Sequence, residues 1–353
     1  MDTVTVTGGA GFIGSSLVRL LAEDHHVVVV DNLSNGRREN LAGLLDANVE
    51  LVVADIRDTD RLLPIFRQSR IVYHLACLGV RHSIHSPKES HEVNATATLD
   101  LLLLARQTAV ERFVYISTSE VYGTARTVPM TEEHPTFPCT VYGAAKLAGE
   151  CYARAFYRTY GYPTVIVRPF NAFGPRAHHE GDSGEVIPKF MLRSLSGRPL
   201  VVFGDGMQTR DFTFVDDTAR AIGLAGLTPG IEGETLNVGS GAEVSINALA
   251  EQVAAVTGRD LTVAREAGRP GDVLRLLADV TKARTLLGYR PSIELTQGLQ
   301  KLRAWYLEQA QSPEGLLEAE VTRNWDAMEL QGVPSSGSGA PNAHREVLRG
   351  HTS

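Results

Sequence analysis

The first fourteen residues constrain this chain more than any other stretch. Thr3-Val4-Thr5-Val6-Thr7 is a β-branched run that passes directly into Gly8-Gly9-Ala10-Gly11-Phe12-Ile13-Gly14, and an apolar helical pattern follows from Ser15 to Glu23. β-Branched residues favour a strand, while glycines admit the sharp bend and close backbone approach that a pyrophosphate requires. The next helix offers its unbonded N–H groups to that anion. The spacing fits both Gly-x-x-Gly-x-x-Gly (Gly8, Gly11, Gly14) and Gly-x-Gly-x-x-Gly (Gly9, Gly11, Gly14). A second apolar strand, Val27 to Val30, ends in Asp31, twenty residues after Gly11. A carboxylate there accepts hydrogen bonds from adenosine ribose hydroxyls and repels a 2′-phosphate. The stretch therefore predicts a dinucleotide cradle that prefers NAD to NADP.

Strand and helix patterns then alternate. Strands are expected at 3–7, 26–31, 49–54, 71–75, 113–117 and 164–169, and helices at 14–23, 61–67, 87–107 and 142–160. That rhythm, with uninterrupted apolar strands, predicts an α/β fold with a Rossmann-type doubly wound parallel sheet covered on both faces. After residue 170 proline and glycine punctuate shorter elements, which suggests a smaller C-terminal substrate-binding lobe with helices near 246–257 and 295–309. The expected division is 1–175 for the NAD-binding domain, with a return segment near 212–240, and 176–311 for most of the lobe. Residues 312–353, with the linker-like Pro334 to Pro341 run, are expected as a flexible tail.

Composition narrows the partners. Thirty-four basic against 41 acidic residues give a net charge of −7, which argues against a nucleic-acid partner. The three cysteines, Cys77, Cys139 and Cys151, form no paired motif and suit a reducing cytoplasm. No apolar run reaches membrane-spanning length, so no membrane partner is expected. The adjacent His178 and His179 do not converge on one ion as an i, i+4 helical pair would, and no metal site is expected.

In a doubly wound sheet, ligands sit at the carboxyl ends of the strands. Three stretches fall there: His74 to Cys77, Ser117-Thr118-Ser119-Glu120-Val121-Tyr122-Gly123, and Tyr142-Gly143-Ala144-Ala145-Lys146. A four-residue spacing stacks Tyr142 and Lys146 on one helix face. An ammonium beside a phenol favours the phenolate, which could take a hydroxyl proton while hydride leaves the same carbon.

Joined to the motifs TGGAGFIG, DNLSNG, ADIRD, HLA, STSEVYG, YGAAK, RPFNAFGPR, GDGMQTRDFTFVDD and NVGSG, this pattern resembles the extended short-chain dehydrogenase/reductase family over about residues 3–308. The closest likeness is to its nucleotide-sugar epimerases, dehydratases and decarboxylases. The resemblance implies a retained NAD and oxidation of sugar carbon 4, with Tyr142 as general base, Lys146 tuning it and Thr118 on the carbon 4 oxygen. It also implies NAD contacts at Gly8, Gly11, Phe12, Ile13, Gly14, Asp31, Asn32, Asn35, Gly36, Asp55, Ile56, Leu75, Ala76, Tyr142, Lys146 and Pro169. Asn171, Val186, Lys189, Phe203, Gln208, Arg210 and Arg269 match positions around the nucleoside and diphosphate, and Arg81 is expected near the sugar. The helices 87–107 and 142–160 are expected to pack on those of a second subunit, which implies a homodimer.

Glu120 is the informative position. Epimerases of this likeness carry a small residue there, because rotating a 4-keto sugar needs no extra acid or base. A carboxylate near carbon 5 resembles the 4,6-dehydratases and the UDP-glucuronate decarboxylases. Glucose-type dehydratases resemble Ser-Thr-Asp-Glu, with an aspartic acid to protonate the departing hydroxyl, whereas this chain has Ser119, a poor proton donor. The resemblance therefore points first to UDP-glucuronate decarboxylation, giving UDP-xylose or the UDP-4-keto-pentose, with 4,6-dehydration and 4-epimerisation as alternatives. Two stretches depart from the decarboxylase pattern: Gly79-Val80-Arg81, which looks more like the 4-epimerases, and Ala177 to Asp182.

Overall fold

A computed structural model describes residues 1–45, 48–268 and 273–325 of the 353-residue chain. Six strands open the fold: β1 (Thr3–Thr7), β2 (His26–Asp31), β3 (Val49–Val53), β4 (Ile71–His74), β5 (Arg112–Ile116) and β6 (Thr164–Pro169). With a later strand, Thr235–Val238, they form one seven-stranded parallel sheet in the order Thr235–Val238, β6, β5, β4, β1, β2, β3. The chain thus leaves β1 toward one edge and returns through β4 toward the other. The crevice between the carboxyl ends of β1 and β4 is where such a sheet binds ligands.

The sheet is covered on both faces, which is why its strands are apolar throughout. Val4, Val6, Val27 and Val29 pack against Leu17 and Val18 of helix α1 (Phe12–Leu21) and Ile222 of helix Val215–Leu227. On the opposite face Val30, Val72 and Phe113 meet Phe66 of helix α2 (Thr59–Gln68), Leu101 and Phe156. The single helix expected over 87–107 is built as Pro87–His91, a π-helical turn at Glu92–Thr96, and Ala97–Gln107.

The second lobe has its own core, in which Phe173, Phe190, Met191, Leu200, Val202, Val253, Leu299 and Leu302 are buried. Helices Val186–Leu195, Ile246–Thr257 and Leu295–Leu307 surround the short parallel pair Leu200–Phe203 and Val263–Glu266. The chain returns to the main sheet through Thr213–Phe214, helix Val215–Leu227 and Thr235–Val238.

The first part of the expected tail differs from its composition-based reading. Ser312 caps a short helix, Pro313–Leu316, and Leu317, Val321 and Asn324 are buried. Leucine and valine at these positions have apolar surface to bury against the second lobe, which the glycine- and serine-rich residues farther along lack. Pro334 to Pro341 lies outside the described residues.

Candidate active site

The crevice widens into a cavity of about 630 Å³ between the sheet and the second lobe, within the range typical of small-molecule sites. Gly8, in the left-handed region at φ +72°, turns the chain out of β1, and a Cβ there would stand 2.7 Å from the Ala76 nitrogen. A Cβ on Gly14 would stand 2.1 Å from the Gly8 carbonyl oxygen. Gly11 caps α1 in extended conformation with no side-chain hydrogen bond to the helix, so the first N–H groups are left for a ligand. Asp31 is buried, and its carboxylate accepts from the backbone N–H of Ala10 at 3.0 Å and of Leu33 at 2.8 Å. Burial raises its pKa, while those two hydrogen bonds pull it down. Asp55 is held at about 2, chiefly by the Arg57 guanidinium, which donates to it at 2.9 and 2.8 Å. These groups fit a dinucleotide: a side-chain-free pyrophosphate turn and a buried carboxylate for a ribose.

Every residue expected to touch NAD lines this one cavity, and so do Arg81, Asn171, Val186, Lys189, Phe203, Gln208 and Arg210. Arg269 lies outside the described residues. Asp211, beside Arg210 in sequence, accepts from the Ser240 and Gly241 N–H groups, the Ser240 hydroxyl and the Ala278 N–H.

Thr118, Ser119 and Glu120 follow β5. The Thr118 hydroxyl accepts from the Glu120 N–H at 3.2 Å and stands where it favours the ionised form of the Tyr142 phenol. Tyr142 and Lys146 project from the first turns of helix Val141–Tyr160, whose N-cap Thr140 accepts from the Gly143 N–H at 3.1 Å. Lys146 is almost fully buried, its ammonium 4.5 Å from the centre of the Tyr115 ring. One turn further, Glu150 binds Arg168 through two hydrogen bonds of 2.8 and 2.6 Å and accepts from the Ser117 hydroxyl at 2.5 Å. This buried clamp fastens the Tyr–Lys helix to β6 and to the end of β5.

The electrostatics differ from the spacing-based reading. A lysine four residues on predicts a phenol shifted down, but Tyr142 is shifted well up. Burial is the leading cause, the charges of Glu120 and Glu185 add to it, and the Thr118 hydroxyl opposes it. Burial also lowers the pKa of Lys146. Desolvation of the phenolate form is the dominant influence here.

Sequence reasoning missed three contributors. Asn94, on the π-helical turn, clamps the backbone of Leu78 by accepting from its N–H and donating to its carbonyl, both at 2.9 Å, and so shapes the loop after β4. Glu185 lines the cavity, its pKa raised by burial and pulled down by the charges of Arg81 and His178. Glu180, in the same second-lobe loop, is paired with Arg37 from the loop after β2 at 2.5 Å, a bridge across the crevice. The polar Asn94 within an otherwise helical pattern was one local signal, and the departing Ala177 to Asp182 stretch, which contains Glu180, was another.

A match to the family described as GDP-mannose 4,6 dehydratase spans residues 5–302. The chain belongs to the short-chain dehydrogenase/reductase family of NAD-dependent nucleotide-sugar epimerases, dehydratases and decarboxylases. It is 38% identical over 312 residues to a UDP-glucose 4-epimerase of Mycolicibacterium smegmatis, covering 87% of this chain and 99% of that one. UDP-glucuronic acid decarboxylase 4 of Arabidopsis thaliana is 35% identical over 304 residues, covering 84% of this chain and 66% of that protein. The fold superimposes with a TM-score of 0.82 and 36% identity on a dTDP-glucose 4,6-dehydratase from Streptomyces venezuelae solved with NAD, covering 87% of this chain and 97% of that one. NAD is the cofactor of this family. Among the described residues no helix is long and apolar enough to cross a membrane.

Proposed function

We propose that this family member performs 4,6-dehydration on a nucleotide hexose. The observation that carries the reading is that two carboxylates, Glu120 and Glu185, line the same cavity as Tyr142, one from each of the chain's two lobes, and that burial desolvates Glu185 there. Two carboxyl groups in unlike environments divide into a base and an acid. Glu120 takes the proton from carbon 5 as the carbon 6–oxygen bond breaks, and Glu185 protonates the departing hydroxyl, so that water leaves. Glu185 thereby supplies the donor that Ser119 cannot. NAD bound in this cradle would supply a hydride acceptor for carbon 4 and the donor of that hydride to carbon 6, while Glu120 would return its proton to carbon 5. Tyr142 takes the carbon 4 hydroxyl proton, Thr118 holds that oxygen, and Lys146 keeps the helix face cationic. Gly8, Gly11, Gly14, Asp31 and Asp55 hold the cofactor.

UDP-glucuronate decarboxylation is the second reading, supported by Arg81, a guanidinium in the same pocket that could meet a substrate carboxylate. Glu120 would repel that carboxylate, which is why it stands second. The test is incubation of the NAD-loaded protein with UDP-, dTDP- and GDP-hexoses and with UDP-glucuronate, followed by mass spectrometry. Loss of water from a hexose supports dehydration. Loss of carbon dioxide from the uronate establishes the second reading, and an isomer of unchanged mass would mean 4-epimerisation.

A homodimer is part of the proposal. Leu103, Tyr157 and Tyr160 are exposed on helices Ala97–Gln107 and Val141–Tyr160, where a second subunit would pack. A sedimentation mass of one chain at micromolar concentration would refute it.

A further inference from the structure

The family match ends at residue 302, yet the cavity is also lined by Glu320, Thr322, Asn324 and Trp325. These residues belong to a segment that is built in rather than draped over the surface. Arg193 donates to Glu320 at 2.8 Å and to Thr322 at 3.3 Å, and Lys189 donates to the Val321 carbonyl at 2.7 Å. Arg323 pairs with Glu266 at 2.7 Å, and the buried Asn324 amide donates to the Gly184 carbonyl at 2.9 Å, next to Glu185. Trp325 meets Phe203 edge to face, with ring centroids 4.8 Å apart, and stays half-buried at the cavity wall.

We propose that residues 320–325 form one wall of the nucleobase subsite and that Trp325, supported by Phe203, stacks on the base of the nucleotide-sugar. An indole fixed by a second ring offers a flat, pre-ordered face, and base–aromatic stacking contributes appreciably to affinity because every base presents a π-face. The inference rests on the nucleotide-sugar reading of this cavity and adds to it a segment beyond the family match. It also gives the Asn324–Gly184 contact a role, since the wall that receives the base holds the loop carrying Glu185.

The test uses the full chain with Trp325→Ala and Trp325→Phe, titrated calorimetrically with UDP, dTDP, GDP and inorganic pyrophosphate, while thermal midpoint and NAD content are followed. Trp325→Ala is expected to weaken the nucleoside diphosphate that binds best by about tenfold or more, with pyrophosphate changed less than about twofold and Trp325→Phe restoring most of the loss. Equal weakening of pyrophosphate, or no loss of nucleotide affinity in the folded variant, overturns the proposal. The chain has two tryptophans, so Trp305→Phe leaves Trp325 as the sole indole. Its fluorescence is expected to be quenched by UDP or dTDP, and an unchanged signal at saturation also overturns the stacking. Failure of the unsubstituted chain to bind any of the three nucleotides would defeat the nucleotide-sugar reading itself, before any substitution is made.

Discussion

Replacing Glu150 by glutamine removes one charge and almost no volume from the clamp behind the active site. The Glu150 side chain is 0% exposed and that of Arg168 only 2%. Burial draws the Arg168 guanidinium down, but the hydrogen bonds and charge of Glu150 more than reverse this, so the native ion pair is strongly coupled. The substitution leaves Arg168 with the glutamine amide oxygen, the Tyr122 hydroxyl at 2.7 Å and the Glu132 carbonyl at 3.1 Å, all neutral acceptors. Breaking a buried pair by removing one partner costs about 3–5 kcal/mol, because the surviving charge has no compensation. Against a typical total stability of about 5–15 kcal/mol, the variant should fold with a much reduced margin. Urea denaturation followed by tryptophan fluorescence and by circular dichroism measures the loss. A companion double variant, Glu150→Leu with Arg168→Met, removes both charges and should recover most of it. A loss below about 1 kcal/mol in Glu150→Gln, or a double variant as unstable as the single one, would refute the argument from uncompensated charge.

Three further outcomes follow from the site. Tyr142→Phe should lower turnover by about 10²–10⁴ with NAD content unchanged, since only the proton-accepting phenol is lost; single-turnover NADH absorbance checks it, and near-normal turnover would remove Tyr142 as the base. Gly14→Ala places a Cβ 2.1 Å from the Gly8 oxygen and 2.8 Å from the Gly9 Cα, both backbone atoms, so NAD released per chain on heating should fall sharply. His74, buried and bonded to Thr7 at 2.8 Å and Thr98 at 3.0 Å, is lowered from 6.5 to about 3 by burial. Its folded pKa lies below the unfolded one, so below pH 6.5 the unfolded chain takes up a proton that the folded chain refuses. Stability should then fall by about 1.4 kcal/mol per pH unit toward the folded value, and His74→Asn should flatten that slope in denaturant midpoints measured from pH 7 to 4.5.

The fold was legible because each layer left a local mark. Val27 to Val30 must be apolar when both faces of a parallel strand are covered, and Gly8 and Gly14 admit no Cβ where the backbone turns on itself. Tyr142 and Lys146 were legible because helical periodicity puts them on one face. Glu185 and Trp325 carried no such mark, since each reaches the cavity from a segment held by contacts distant in sequence, Gly184 by Asn324 and Trp325 by Phe203. Arg168 is an intermediate case. A charged residue among Thr164, Val165, Ile166 and Val167 demands a buried partner, but only the packing of helix Val141–Tyr160 against β6 identifies Glu150.

The reversal at Tyr142 shows where sequence spacing stops being informative. Spacing names the neighbour of a titratable group, whereas the direction of its shift depends on how much water the surrounding elements exclude. Here the second lobe brings Glu185 toward a phenol already desolvated and already facing Glu120, while the Lys146 ammonium sits over the Tyr115 ring. A site built this way keeps its phenol protonated unless a cation enters the crevice. Adding positive charge should therefore lower the Tyr142 pKa, and Glu185→Gln, which removes one of the opposing charges, should move the rising, acid-side limb of the pH–rate profile, which the base sets, to lower pH. An unchanged limb in that variant would mean that Glu185 acts on the sugar alone.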